Sequence, residues 1–179
     1  MQRTLDTWAL LGLSGVLLVA FYYQFAMGEL PCPLCALQRV GFIVAGVGLI
    51  LNLRVGPANA NYGLVLLTSV AAGSASLRQV ALHVIPGTGH YGSALLGYHF
   101  YTWAFVGYGA LVIYVGAMLL LAPAAPSRER MPRAGALTRV ACWLFVALAV
   151  ANAAAFLFEC GVGPCPDNPV GYLWWPGTR

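Results

Sequence analysis

The stretch TWALLGLSGVLLVAFYYQFAMG, residues 7–28, contains no charged side chain and decides the fold class of this chain. A helix that spans a bilayer needs about 20 mostly apolar residues, and residues 8–27 supply them. The run is long and aromatic at its end, and no small-residue cleavage site follows it. It therefore predicts a retained membrane helix, not a cleaved signal peptide.

The composition of the whole chain agrees with a membrane location. Of its 179 residues, 60% are hydrophobic and 8% are charged, and the mean hydropathy is +0.78. A soluble domain carries about 25% charged residues, which cover its surface. Nine arginines, no lysine and five acidic residues are too few for that purpose. A soluble enzyme, a disordered tail and a nucleic-acid binder are therefore excluded.

Four further apolar runs predict four further membrane helices. Together with the first, the predicted spans are 8–27, 36–53, 62–84, 98–121 and 140–158. The Pro86-Gly87-Thr88-Gly89 cluster separates the third span from the fourth. Because no segment alternates like the strands of a membrane barrel, the predicted fold class is all-α. Residues 1–179 are expected to form one membrane domain, a bundle of about five transmembrane helices.

The arginines outside the spans predict the orientation of the bundle. Six of the nine would lie on one side of a five-span bundle, namely Arg3, Arg54, Arg128, Arg130, Arg133 and Arg139. The positive-inside rule makes that side cytoplasmic, together with the N-terminus, and it puts the C-terminus and Arg179 outside. The periplasmic segments are then 28–35, 85–97 and 159–179, and the Pro/Ala/Arg segment 123–136 is a cytoplasmic linker.

Four of the five cysteines lie on the predicted outer side, in two close pairs. Cys32 and Cys35 form a C-x-x-C motif at the start of the second span, and Cys160 and Cys165 follow the fifth span. An oxidising compartment permits a disulfide in each pair. The remaining cysteine, Cys142, is alone in its span and is predicted to be a small buried apolar residue.

The first pair has the features of a redox site. Pro31 and Pro33 separate it from the first span, and Cys35 is predicted to open the second helix, where unpaired N–H groups favour a thiolate. Arg39 follows Cys35 by four residues, on the same helical face and one turn deeper. Because a cation inside a bilayer is costly, such an arginine is a functional-site candidate. It is expected to stabilise the thiolate and to bind a polar group of a lipid-soluble ligand.

Plainer interpretations of the same residues remain open. Either cysteine pair could be a structural disulfide that only joins chain segments. The four outer cysteines could bind zinc, but no histidine accompanies them at zinc-finger spacing, so no metal site is predicted. Arg39 could extend its guanidinium to the membrane interface while its stem lies in lipid.

The sequence PCPLCALQR, residues 31–39, resembles the signature of the disulfide bond formation protein B (DsbB) family of bacterial inner-membrane quinone reductases. The resemblance covers the first four spans, and a second outer cysteine pair strengthens it. It implies a four-helix core to which this chain adds a fifth helix. It also implies that the chain oxidises a periplasmic thioredoxin-fold dithiol protein (DsbA-like) and passes two electrons to ubiquinone or menaquinone.

The resemblance also implies roles for individual residues. Cys35 would lie next to the quinone ring, Cys32 would exchange with the second cysteine pair, and Arg39 would bind the quinone. The polar residues that the family has near the quinone are loosely matched in the third span by Arg78, Gln79 and His83. The alternative for His83 is an interfacial histidine whose ring is already satisfied.

The second cysteine pair departs from the family pattern. The family usually carries it in the outer loop between the third and fourth spans, but residues 85–97 contain no cysteine. The simplest hypothesis is that Cys160 and Cys165 act as the shuttle instead, with Gly161 and Gly163 giving their segment flexibility. Which of the two cysteines meets the partner stays open. The tail is expected to be anchored at the membrane interface by Tyr172, Trp174 and Trp175.

Two functions from different classes follow. The first is a thiol:quinone oxidoreductase that generates disulfides. The alternative is a non-enzymatic membrane subunit or transporter, in which outer disulfides join helix ends and Arg39 and Arg78 are packing or substrate contacts. A transporter that sends electrons outward would need a cysteine pair in the membrane or on the cytoplasmic side, where Cys142 is single.

Overall fold

The computed structural model describes residues 2–85, 87–121, 135–163, 165–166 and 169–174. Each of its five long helices is long and apolar enough to cross a membrane. The elements in chain order are α1 (Gln2–Phe25), α2 (Pro33–Arg54), α3 (Asn59–His83), β1 (Ala94–Leu95), β2 (Tyr98–His99), α4 (Phe100–Leu120) and α5 (Ala136–Cys160). The predicted all-α membrane bundle with five spans is confirmed.

Several helices begin earlier than the apolar runs that predicted them. α1 begins at Gln2, well before Trp8, because Asp6 is buried by contacts inside the bundle and needs no water. α2 begins at Pro33 and not at Cys35. Proline is favoured at the first helical position, since its missing N–H would have no partner there.

The predicted start of the fourth span at Tyr98 is also corrected. Tyr98 and His99 pair with Leu95 and Ala94 in a short antiparallel hairpin, and α4 follows at Phe100. The outer segment before α4 is thus an ordered turn and not a simple helix end. α5 begins at Ala136, four residues before the predicted span.

The first four helices pack against one another in chain order, and α5 packs beside α1 and α2. α1 packs on α2, α2 on α3 and α3 on α4, while α5 lies mainly against α1 with a smaller contact to α2. α5 approaches α2 most tightly at Gly46, where the Phe145 ring occupies the space that a Cβ would need. The core is made of buried aliphatic and aromatic side chains from all five helices.

Buried polar contacts hold together the end of the bundle opposite to the cysteine pairs. Tyr62 donates hydrogen bonds to both carboxylate oxygens of Asp6, at 3.2 and 3.1 Å. Tyr114 donates to Oδ1 of the same carboxylate at 2.5 Å. These bonds join α1, α3 and α4. Arg3 donates to the carbonyl of Leu53 at 3.1 Å and so ties α1 to α2. The Asp6 carboxylate is tolerated at full burial because donors surround it.

Of the five arginines that the structure describes, three share this end. Arg3 begins α1, Arg54 ends α2 and Arg139 lies in the first turn of α5. Cys142 is buried near them and has no disulfide partner, as predicted. The residues of the predicted cytoplasmic linker up to 134 lie outside the described residues, and with them Arg128, Arg130, Arg133 and also Arg179.

Candidate functional site

Both outer cysteine pairs are disulfides in the structure. Cys32 and Cys35 are joined with a Cα–Cα distance of 5.0 Å, and Cys160 and Cys165 with 4.7 Å. Sulfurs that are bonded to each other are not thiolates and cannot bind zinc. Within the described ranges, no three or more His, Cys, Asp or Glu side chains are arranged to hold a metal ion.

The first disulfide is built into the start of α2. Cys32 is the N-cap residue, and its sulfur accepts a hydrogen bond from the backbone N–H of Cys35, with an N–S distance of 3.1 Å. An N-cap side chain normally satisfies one of the free N–H groups of the first turn in this way. Both sulfurs therefore lie at the positive end of the helix dipole, which favours a thiolate when the pair is reduced.

Gln79 on α3 faces both sulfurs of this disulfide. Its Nε2 lies 3.4 Å from Sγ of Cys32 and 3.7 Å from Sγ of Cys35. Gln38 on α2 donates to Oε1 of Gln79 at 2.8 Å, which leaves the NH₂ group of Gln79 turned towards the sulfurs. Both glutamine side chains are buried. Gln38 lies within residues 31–39 and was not singled out from the sequence, because only the fold shows which way it points.

Replacing Gln79 by leucine is expected to slow alkylation of the reduced Cys32–Cys35 pair at neutral pH. A hydrogen bond to a charged acceptor contributes about 1.5–3 kcal/mol, so the rate should fall roughly tenfold. The rate of iodoacetamide labelling, located by mass spectrometry, measures the effect. The matched variant Gln38→Leu keeps the donor and removes only its orienting partner, so a smaller decrease is expected. Equal rates in the three proteins would show that Gln79 does not stabilise the thiolate.

The guanidinium of Arg39 is bound by the first helix. Its Nη1 donates to Oε1 of Gln24 at 2.5 Å, and its Nη2 donates to the carbonyl of Ala20 at 3.3 Å. Its Cζ also lies over the ring of Phe156 on α5, 5.7 Å from the ring centre. The guanidinium is therefore bound between α1 and α5, and Arg39 as a whole is half-buried. Arginine has five N–H donors, and in the described part of the chain two of them are used.

An apolar cavity of about 490 Å³ lies between α1, α2 and α4. Apolar side chains such as Val16 and Phe42 form most of its wall. The polar and reactive groups of the lining include those of Cys35, Gln38 and Arg39. Mostly apolar walls with a few convergent polar groups are typical of small-molecule sites. Of the two sulfurs in the first disulfide, that of Cys35 is the one that belongs to a cavity-lining residue.

The outer segments close the cavity at its disulfide end. Tyr91 donates to the carbonyl of Leu30 at 2.7 Å, and the backbone N–H of Ser93 donates to the Glu29 carboxylate at 3.1 Å. The Ser93 hydroxyl donates to the same carboxylate. Burial raises the pKa of Tyr91, and the negative charges of Glu159 and Glu29 raise it further, so this phenol stays protonated as a donor.

The three predicted residues of the third span, Arg78, Gln79 and His83, are not among the residues that line the cavity, although Gln79 contacts the disulfide. Arg78 is exposed on α3. The Nδ1 of His83 lies 2.8 Å from the carbonyl of Gln79, which can only accept, so Nδ1 carries the proton. The His83 ring also stacks on Tyr101, with ring centres 5.2 Å apart, and Tyr101 lines the cavity. Gln79 and His83 are four residues apart and lie on the same face of α3.

The tail folds back onto the end of α5. The helix ends at Cys160, and its C-cap residue Gly161 has a φ of 64°, in the left-handed region that favours glycine. The backbone N–H groups of Leu173 and Trp174 donate to carbonyls of the last turn of α5, at 3.2 and 3.0 Å. A Cβ at Gly161 would lie 3.1 Å from Leu173, so a larger residue here would crowd the tail. Gly163 is exposed with open space around it.

The two cysteines of the tail differ in accessibility. Cys160 is 6% exposed, whereas Cys165 is only half-buried. Tyr172 accepts a hydrogen bond from Nε2 of Gln24 at 3.2 Å and stacks on Phe25 with ring centres 6.2 Å apart. Of the three predicted aromatic anchors, the one outside the described residues is Trp175.

Gln24 and Glu159 surround Arg39 and were missed in the sequence. Gln24 is the amide in the uncharged first run, and its isolation among apolar residues was the available signal. Glu159 directly follows the predicted fifth span, 140–158, and belongs to no motif. Its position beside Arg39 depends on how α5 packs, for which the sequence offers no direct sign.

The family model described as Disulfide bond formation protein DsbB matches residues 2–93, just over half of the chain. The chain belongs to the DsbB family. The matched region contains α1, α2 and α3 and with them the C-x-x-C pair, Arg39 and Gln79. It ends in the outer loop before α4, so the match supports three of the four spans in which the resemblance was seen. α5 and the tail cysteines lie beyond it.

Several relatives named Disulfide bond formation protein B are similar to this DsbB-family chain. The protein of Marinobacter nauticus is 46% identical over 77 residues, which are 41% of this chain and 46% of the relative. The protein of Stutzerimonas stutzeri is 35% identical over 88 residues, which are 47% of this chain and 54% of the relative. The protein of Chromobacterium violaceum is 34% identical over 77 residues, which are 41% of this chain and 46% of the relative. The chain spans about half the length of the relatives it matches. No solved structure matches it.

The five apolar helices and these bacterial relatives together identify a multi-pass protein of the bacterial inner membrane.

Proposed function

We propose that this DsbB-family chain is a thiol:quinone oxidoreductase, which oxidises a periplasmic thioredoxin-fold dithiol protein and reduces ubiquinone or menaquinone. One observation carries the proposal: the disulfide of Cys35 adjoins the apolar cavity that Arg39 also lines. A two-electron redox group thus borders a space for a lipophilic molecule. A purely structural disulfide that joined helix ends would not need a lipophilic cavity beside it.

The cavity fits a quinone. Its volume of about 490 Å³ lies within the range of small-molecule sites, about 300–1,000 Å³. The apolar walls suit an isoprenoid chain, and the unused N–H groups of Arg39 are donors for a ring carbonyl. When bound, the quinone would supply an acceptor for two electrons and two protons. Arg39 would hold it, and the outer segments that include Tyr91 and Glu29 would exclude water.

The orientation of the bundle in the membrane is proposed from the positions of its arginines. The end with Arg3, Arg54 and Arg139 is cytoplasmic, as is the N-terminus, and the end with both disulfides is periplasmic together with the C-terminus. The positive-inside rule supports this assignment. Both cysteine pairs then face the compartment in which a dithiol partner would be met.

Electrons enter through the tail pair. A thiolate of the partner attacks Sγ of Cys165, the more exposed sulfur, and forms a mixed disulfide while the bond to Cys160 breaks. Cys160 leaves as a thiolate. The second thiolate of the partner then attacks the partner's own sulfur in the mixed disulfide and releases Cys165. The partner is oxidised by two electrons, and the tail pair is reduced by two.

The tail pair then passes its electrons to the first disulfide. A tail thiolate attacks Sγ of Cys32, and Cys35 leaves as a thiolate that is stabilised by the start of α2 and by Gln79. The other tail thiolate resolves the mixed disulfide, which restores the tail disulfide and leaves Cys32 and Cys35 reduced. Because Cys32 is 6% exposed, the start of α2 must open for this exchange.

Quinone reduction by the purified chain tests the proposal. With a reduced thioredoxin-fold dithiol protein as donor, one disulfide should form for each quinone reduced. Arg39→Gln is expected to raise the KM for quinone about tenfold with a smaller change in kcat, since a charged hydrogen bond worth about 1.5–3 kcal/mol is lost. Arg139→Gln removes the same charge at the other end and should leave KM unchanged. A wild-type chain that reduces no quinone would overturn the proposal.

A further inference from the structure

Glu159, in the last turn of α5, is a buried carboxylate to which the proposed reaction gives no part. It is 2% exposed, and in the described part of the chain neither of its oxygens has a hydrogen-bond partner. The charge that acts on it is that of Arg39 on α2. Tyr91 of the outer loop and Tyr172 of the tail are the other titratable groups that face it. A carboxylate without donors keeps its charge at such a place only beside a cation.

The Arg39 guanidinium in turn has no charged group among its direct contacts in the described residues. Its direct contacts are all neutral: the amide of Gln24, the carbonyl of Ala20 and the ring of Phe156. Glu159 is the carboxylate whose charge acts on it among the described residues. Phe156, whose ring lies under the guanidinium of Arg39, precedes Glu159 by three residues on α5, so these two side chains lie on the same face of that helix. Glu159 is thus on the side of α5 that faces Arg39, where an ionised carboxylate would compensate the charge of the guanidinium.

The net charge of this pair decides which class of ligand the cavity accepts. An apolar cavity with an uncompensated guanidinium would attract lipophilic anions such as fatty acids. Compensation by Glu159 removes that attraction, while the N–H groups of Arg39 remain as hydrogen-bond donors. The ligand favoured by such a site is neutral, apolar along most of its length, and carries a hydrogen-bond acceptor.

We infer that Glu159 is a specificity-determining residue, which as the counter-charge of Arg39 makes the cavity select neutral lipophilic ligands over anionic ones. The inference rests on the proposed function in taking the cavity as a ligand site. It gives α5 and the tail, which lie beyond the region matched by the family, a part in that site.

Binding of palmitate and hexadecanol, which share a chain length and differ in charge, tests the inference. The full chain in lipid nanodiscs is titrated with each radiolabelled probe, with empty nanodiscs as the background. The wild type should bind hexadecanol at least as tightly as palmitate. Glu159→Gln should tighten palmitate binding about tenfold, the effect of one charge at about 10 Å in a partly buried site, and change hexadecanol binding less than about twofold.

Two variants control for charge and for burial. Glu159→Asp keeps the charge and should behave like the wild type. Asp6→Asn removes another buried carboxylate, at the opposite end of the bundle, and should also leave palmitate binding unchanged. Unchanged palmitate affinity in Glu159→Gln, or an equal increase in Asp6→Asn, would overturn the inference.

Thermal unfolding gives a second measurement that needs no ligand. Arg39→Gln leaves the Glu159 carboxylate buried without a cation and should lower the unfolding temperature. Adding Glu159→Gln to Arg39→Gln removes that unpaired charge, so the double variant should unfold at a higher temperature than Arg39→Gln alone. A double variant that is less stable than Arg39→Gln would contradict the pairing.

Neither measurement contains quinone or a dithiol protein, so the inference and the proposed function can fail separately. A wild type that reduces no quinone but shows the palmitate effect in Glu159→Gln would leave Glu159 as the determinant for another neutral ligand. Normal quinone reduction with no palmitate effect would leave the oxidoreductase and remove the role of Glu159.

Discussion

A Cys35→Ser variant is expected to lose dithiol-dependent quinone reduction by roughly 1,000-fold or more, down to the background rate. Cys35 is the cysteine that lines the cavity, and in the proposed function its disulfide with Cys32 is the two-electron carrier next to the quinone site. Serine has nearly the same size but cannot form a disulfide, so the carrier is removed with little change in packing. The decrease in quinone absorbance with a reduced thioredoxin-fold protein as donor measures the loss.

Cys142→Ser is the matched control for this variant. Cys142 is a free cysteine buried in α5, near the opposite end of the bundle, so the same substitution there should leave quinone reduction close to the wild-type rate. Both variants should assemble in the membrane in normal amounts. An unchanged rate in Cys35→Ser would favour the alternative of a membrane subunit whose outer disulfides are structural.

Cys165→Ser is expected to abolish oxidation of a protein dithiol while a small dithiol such as dithiothreitol still drives quinone reduction. In the proposed relay the partner attacks the sulfur of the half-buried Cys165, whereas a small dithiol can enter when the start of α2 opens and react with the Cys32–Cys35 disulfide without the tail. The ratio of the two rates, measured on the same preparation, separates the entry step from the later one. Loss of both activities to the same extent would indicate a structural role for the tail disulfide.

The same variant should trap the intermediate of the relay. Without Cys165, the thiolate of Cys160 can attack Cys32 but has no partner to resolve the mixed disulfide, which should accumulate when quinone is withheld. Peptide mapping under non-reducing conditions would detect the Cys32–Cys160 linkage, and Cys160→Ser is the matched variant for a Cys32–Cys165 linkage. If Cys32 is found only with Cys35 in both variants, the tail does not pass electrons to the first pair.

The parts of the site that lie close together in the chain could be predicted from the sequence. Cys32, Cys35 and Arg39 lie on the first turns of one helix, where spacing alone determines which faces they share. The five spans could be predicted because each apolar run is long enough to cross a bilayer without help from its neighbours. In both cases the physics is local.

The parts that depend on packing could not be predicted. Gln24 and Glu159 reach Arg39 from α1 and α5, and their positions follow from how these helices rotate against α2. Arg78 is the opposite case: the sequence suggested it as a site residue, but the packing of α3 turns it away from the site. Consecutive residues of a helix point about 100° apart, so α3 cannot turn both Gln79 and its neighbour Arg78 towards the disulfide, and Arg78 is exposed. Gln79 has the inward position.

The outer loop before α4 has no cysteine and is fastened to the segment before α2 through Tyr91, Ser93 and Glu29. A segment that carries electrons must leave its place in every reaction cycle, whereas the wall of a ligand chamber must stay in place. In the proposed relay the exchanging pair lies in the C-terminal tail, so the moving part and the chamber wall belong to different parts of the chain. Each part is then free to change in length and sequence during evolution, or in chimaeras between relatives, without disturbing the other.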